Sequence, residues 1–76
     1  MEIEFSRQQK KLLCILSHKG LITFKDAMSC FASRSYAIEV IKRFCELGII
    51  KPSQIDPNHF TQNIKNDEII EILKDN

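Results

Sequence analysis

Three cysteines and two histidines are the side chains best suited to chemistry in this 76-residue sequence, and their spacing restricts what they can do. Cys14 and His18 stand four apart, so a helix would present both on one face as two metal ligands, with Cys30, Cys45 and His59 left to complete a site from a distance. No two cysteines have the short spacing of a zinc knuckle, and the odd, sparse set is unlike a secreted disulfide framework. They read as reduced thiols, and no metal or other cofactor is expected. An enzyme is not expected either. The sequence has no Gly-rich phosphate loop, no Cys–His pair with a third orienting group, and no carboxylate pair near a foreseeable pocket. A chain of this size should also leave no deep cleft for a small molecule. More suggestive is a polar run in mid-chain, Ser33-Arg34-Ser35-Tyr36, followed by Glu39, Lys42 and Arg43.

The elements that would carry these residues follow from capping signals and hydrophobic period. Ser6-Arg7-Gln8-Gln9 is a capping box, with Phe5, Gln9, Leu12, Leu13 and Leu16 on one face of the helix that follows. His18 and Lys19 suit its carbonyl end, and Gly20 stops it. Leu21-Ile22 is a short apolar entry. Thr23-Phe24-Lys25-Asp26 repeats the capping pattern and opens a second helix to about Phe31. Ser33 or Ser35 caps a third helix to Leu47, in which Ala37, Val40, Ile41 and Phe44 recur at i, i+3, i+4 and i+7, and Gly48 ends it. At 100° per residue, Ser35, Glu39, Lys42, Arg43 and Glu46 point away from that stripe.

Residues 49–55 read as a strand confined by Pro52 to an edge or a bulge, Asp56-Pro57-Asn58 as a turn, and residues 59–64 as a returning strand; an irregular loop over 49–64 is the alternative. Asn66-Asp67-Glu68 caps and charges a last helix, with Ile69, Ile70 and Leu73 on its apolar side. The expectation is a single domain over residues 1–76, mainly α with a small β-hairpin (α+β), in the order α-α-α-β-β-α.

Composition agrees with one small domain: 43% hydrophobic and 28% charged residues are an ordinary globular balance, and no run approaches the roughly 18 apolar residues of a membrane span. Met1-Glu2-Ile3-Glu4 lacks the basic start and apolar run of a signal peptide, which points to the cytoplasm. The net charge of +1 is divided unevenly, with a basic excess in residues 1–43 and an acidic one in residues 44–76.

Residues 33–50, Ser33-Arg34-Ser35-Tyr36-Ala37-Ile38-Glu39-Val40-Ile41-Lys42-Arg43-Phe44-Cys45-Glu46-Leu47-Gly48-Ile49-Ile50, resemble the recognition helix and strand entry of winged helix-turn-helix transcription regulators. Residues 21–28 resemble that superfamily's second helix, with Ala27 as the small residue at the helix crossing. The sequence departs from the pattern at Ala37 and Ile38, and the hairpin tip Asp56-Pro57-Asn58-His59 carries no Arg or Lys for a minor groove.

The resemblance implies double-stranded DNA as partner, with the helix at about 33–47 in the major groove. Arg34 and Tyr36 flank its first turn, and Arg bonds guanine O6 and N7 together. Ser35 faces outward beside them, Lys42 and Arg43 hold phosphate, and Thr23 and Ser33 sit at helix N-termini that attract phosphate. Glu39 either accepts from cytosine N4 or repels the backbone. Ile38, beside Cys45 at the edge of the stripe, is peripheral core or a thymine-methyl contact, the former being the expectation. Arg7, Lys10 and Lys11 read as solvated surface. A transcription regulator of this size would act as a homodimer on two half-sites, joined through its first and last helices, and would be found with the nucleoid. The rival reading is a protein-interaction winged helix in a replication, transcription or membrane-remodelling assembly, favoured by the near-neutral charge and the acidic C-terminal part.

Overall fold

Both capping boxes form. In the computed structural model, which describes residues 4–74, Ser6 N–H donates to Gln9 Oε1 at 2.9 Å and Gln9 N–H returns to Ser6 Oγ at 3.2 Å. These bonds open α1, Arg7–Lys19. Thr23 and Asp26 make the same exchange at 3.0 and 3.2 Å and open α2, Phe24–Cys30. Ser33 accepts from Tyr36 N–H at 3.3 Å at the head of α3, Arg34–Glu46. Gly20 and Gly48 follow α1 and α3 with φ of 76° and 78°, the left-handed conformation that ends a helix at least cost in glycine. Residues 1–3 and 75–76 of the expected domain, including Met1-Glu2-Ile3 of the signal-peptide argument, lie outside the described residues.

The described residues contain four helices and three strands, the expected helix-rich α+β fold with one strand more than the hairpin supplies. Leu21–Thr23 is a strand, β1, where the sequence suggested only an apolar entry. The remaining elements are β2 (Ile50–Pro52), β3 (His59–Gln62) and α4 (Asn66–Lys74), so the order is α-β-α-α-β-β-α. The sheet runs β1-β3-β2, antiparallel throughout, with Ile22 opposite Phe60 and Lys51 opposite Thr61. Pro52, which has no N–H to donate, is on the edge strand β2 as expected. The connection after Pro52 is held by Ser53 N–H to the His59 carbonyl and Asn58 N–H to Asp56 Oδ1, both 2.9 Å, so Asp56 caps its own turn.

The core lies between the helices and the inner face of this sheet. Leu12, Leu13 and Leu16 of α1, Ala37, Val40, Ile41 and Phe44 of α3, and Ile22, Ala27, Ile50, Phe60 and Ile69 belong to one buried cluster. Phe44 is wholly buried, and the half-buried Phe5 ring stands edge-on to it at 5.9 Å. On α4 the apolar face is narrower than expected: Ile69 is buried and Ile72 and Leu73 half-buried, but Ile70 is 43% exposed. One residue along a helix is a 100° turn, and a nine-residue helix lying on the core covers only a narrow arc. Asn66 does not cap α4. The Lys65 carbonyl accepts from Ile69 N–H at 3.2 Å, and Asn66 Oδ1 instead accepts from Gln62 Nε2 at 2.8 Å and from Ser17 Oγ at 3.4 Å.

Candidate nucleic-acid interface

The buried stripe of α3 fixes which of its polar residues reach solvent. Ser33, Arg34, Ser35, Tyr36, Glu39, Lys42 and Arg43 are all exposed, and Thr23 at the head of α2 is half-buried. The helix separates them into a crest and two flanks. Ser35, Glu39, Lys42 and Glu46 form the crest, opposite Ala37, Val40, Ile41 and Phe44.

On the flank toward α1, an open groove of about 440 Å³ is lined by Gln9, Tyr36, Glu39, Val40, Lys42, Arg43 and Glu46. Tyr36 is fixed there from two sides. Gln9 Nε2 donates to its hydroxyl at 3.5 Å, and the Phe31 ring stands perpendicular to it at 5.0 Å. Among the described residues neither Glu39 nor Glu46 forms an ion pair with Lys42 or Arg43, so these two cations keep their valence toward an outside anion.

On the opposite flank, Arg34 and Ile38 line a smaller open groove of about 290 Å³ with Phe24 and Met28 of α2 and Asn58 of the β2–β3 connection. The structure therefore does not bring Arg34 and Tyr36 together; they stand on opposite sides of the crest. Ile38 is not peripheral core, being 38% exposed, whereas Cys45 is half-buried against the core. Met28 and Asn58 have no place in the sequence-based site. Met28 lies on the exposed side of α2, a helix of about two turns with Ala27 as its buried residue, and Asn58 reaches the groove only through the fold of the hairpin.

The two helix N-termini differ electrostatically. At α2 the positive end is already occupied: Asp26 sits in the first turn, accepts the Thr23 N–H, and pairs with Lys19 Nζ at 2.8 Å. Burial pushes the Asp26 carboxyl up, but the Lys19 ammonium and Thr23 outweigh it and hold it below its ordinary value. Thr23 thus stands beside an internal anion. The first turn of α3 holds no acid and does hold Arg34, which leaves its free amides open to an anion.

Comparison with family models, curated proteins and solved structures finds no match. The reading of this surface therefore rests on its own residues.

The thiols and imidazoles stay apart. Cys14 is exposed, Cys30 and Cys45 are half-buried, and all three are free. Burial and, secondarily, Glu46 push the Cys45 thiol up, away from the reactive thiolate. Among the described residues no three of His, Cys, Asp and Glu converge as a metal site would need. His59 Nε2 instead lies 3.5 Å from Asp56 Oδ2 across its own turn. No helix among the described residues is long and apolar enough to cross a membrane.

A third open groove, of about 430 Å³, involves α4. Phe5, Leu47, Ile49, Ile64 and Ile72 line it, with Glu68 and Glu71 of α4 at its rim.

Proposed function

We propose that this chain is a winged helix-turn-helix domain that binds double-stranded DNA as a transcription regulator, with α3 in the major groove. The observation that carries the reading is the first turn of α3. It combines an exposed Arg34, two exposed hydroxyl side chains, Ser35 and Tyr36, and a helix N-terminus free of acidic residues. A cation with forked donors on one flank, a hydroxyl on the crest, another on the opposite flank and a helix N-terminus suit base edges and phosphate. Lys42 and Arg43, one to two turns on, would hold backbone, and Glu39 between them would accept from cytosine or discourage misplaced phosphate. Ser33 lies beside the same amides. Thr23 is the weakest of the proposed contacts because Asp26 already supplies negative charge there.

Tight binding of a module this small calls for two copies. The groove at Phe5, Leu47 and Ile72 offers an apolar surface for the second copy, formed by residues just before α1, just after α3 and along α4. No membrane or catalytic role is proposed, and the nucleoid of the cytoplasm is the compartment that suits such a regulator.

The same groove favours a second reading, in which the domain is a protein-interaction module. Its Glu68 and Glu71 rim would repel DNA and receive a basic, apolar segment of another protein. Fluorescence anisotropy with a random-sequence duplex at low and moderate salt separates the two. Salt-sensitive binding that weakens in Arg34→Ala supports the DNA reading, and absence of binding at low salt transfers the case to the protein partner.

A further inference from the structure

The groove between α2, the first half of α3 and Asn58 is apolar in three of its five lining residues: Phe24, Met28 and Ile38. Met28 is 44% exposed and Ile38 38% exposed, which places two apolar chains together on one small patch. Arg34 is its one ionisable lining residue, so the groove pairs an apolar floor with a single positive edge. The groove at α4 has the opposite character, with two carboxylates at its rim. An occupant of the first groove must offer an apolar group close beside acceptors or negative charge.

In the major groove of a duplex one natural group answers that description. The thymine C5-methyl is the apolar group presented there, and it lies among the acceptors of neighbouring base edges. We infer that Ile38, with Met28 behind it, receives a thymine methyl and thereby adds a preference for T·A pairs to the phosphate and guanine contacts of α3. The inference rests on the DNA reading above and assigns part of its specificity. Ile38 follows Arg34 by four residues, which is about 6 Å along a helix axis. Base pairs are stacked about 3.4 Å apart. A helix lying along the groove would then set the favoured thymine within about two base pairs of the base read by Arg34. The methyl contact discriminates where hydrogen bonds from Arg34 do not, because cytosine and uracil present no methyl at that position.

The test removes the methyl and nothing else. Two random-sequence duplex pools of equal length are prepared, one with thymine and one with deoxyuridine at every thymine position, and each is titrated by anisotropy at low salt. The wild-type protein is expected to bind the uridine pool about twofold more weakly, because the roughly fourfold gain from one buried methyl group applies to the quarter or so of registers that present thymine there. Ile38→Ala, a change at an exposed position, is expected to bind both pools alike, and Met28→Ala to reduce the difference. Equal binding of the two pools by the wild type, or a preference that survives Ile38→Ala, overturns the thymine contact while leaving DNA binding intact. Failure to bind either pool overturns the DNA reading itself and the inference with it.

Discussion

Gln9 is tied to Tyr36 across 27 residues of sequence: Gln9 Nε2 donates to the Tyr36 hydroxyl at 3.5 Å while Gln9 Oε1 accepts the Ser6 N–H that closes the capping box of α1. One buried amide therefore serves both the start of α1 and the flank of α3. The two bonds are unequal. The capping contact is 2.9 Å and the tyrosine contact is at the long limit of a hydrogen bond. Gln9→Ala is expected to cost about 1–2 kcal/mol, most of it from the cap and the buried packing. Tyr36→Phe is expected to cost less than about 0.5 kcal/mol, since its hydroxyl is on a half-exposed ring. Urea unfolding of the two variants measures the difference.

Acid should weaken the junction of α1 and α2. The Asp26 carboxyl is held below its unfolded value, so its contribution is complete above the unfolded carboxylate range, about 4, and is lost as pH falls through the lower folded value. Asp26→Asn removes the charge that Lys19 faces at 2.8 Å. Thermal unfolding midpoints of wild type and Asp26→Asn are expected to differ at about pH 6–7 and to converge as pH falls below about 4 and on through the lower folded value of Asp26. A difference that stays constant over that range would assign the effect to packing rather than to charge.

Helix termination rests on two glycines with room around them. Nothing lies within 4 Å of a Cβ built on either Gly20 or Gly48, so a side chain there meets no steric obstacle, only the left-handed backbone. Gly20→Ala and Gly48→Ala are each expected to cost about 1 kcal/mol, with Gly20→Asn costing less because asparagine tolerates that conformation. Calorimetric melting of the three variants checks the order.

Much of this architecture is written locally. Ser6 with Gln9, Thr23 with Asp26, and Gly20 and Gly48 mark helix ends through contacts spanning three or four residues, so a reader of the chain can find them. The buried stripe Ala37, Val40, Ile41, Phe44 is equally legible because 3.6-residue periodicity is a local property. β1 is not. Its three residues are too few to display alternation, and its partner β3 begins 36 residues after Thr23 in the register. The same limit applied to the site. The crest of α3 follows from periodicity, but the separation of Arg34 from Tyr36 and the meeting of Arg34 and Ile38 with Met28 and Asn58 depend on how α2 and the hairpin pack against the helix. Ile38 reads as peripheral core because it is apolar and beside the stripe, yet the fold leaves it 38% exposed.

The groove at α4 makes self-association testable apart from DNA. Leu47 is 37% exposed where α3 ends, and it lines the apolar groove with Ile72. Leu47→Glu places a third carboxylate beside Glu68 and Glu71. Sedimentation velocity is expected to show a dimer for the wild type and a monomer for Leu47→Glu, with circular dichroism unchanged. A wild-type monomer at high concentration would remove the proposed second copy.

The central claim is that the exposed face of α3 neutralises phosphate, and the salt dependence of duplex binding tests it most directly. With Arg34, Lys42 and Arg43 as the contacting cations, the logarithm of the binding constant should fall against the logarithm of salt concentration with a slope of about −3 for each bound copy. The double variant Lys42→Ala, Arg43→Ala should reduce the slope by about 2 for each bound copy. A slope near zero, or one unchanged in the double variant, would contradict the placement of α3 on DNA.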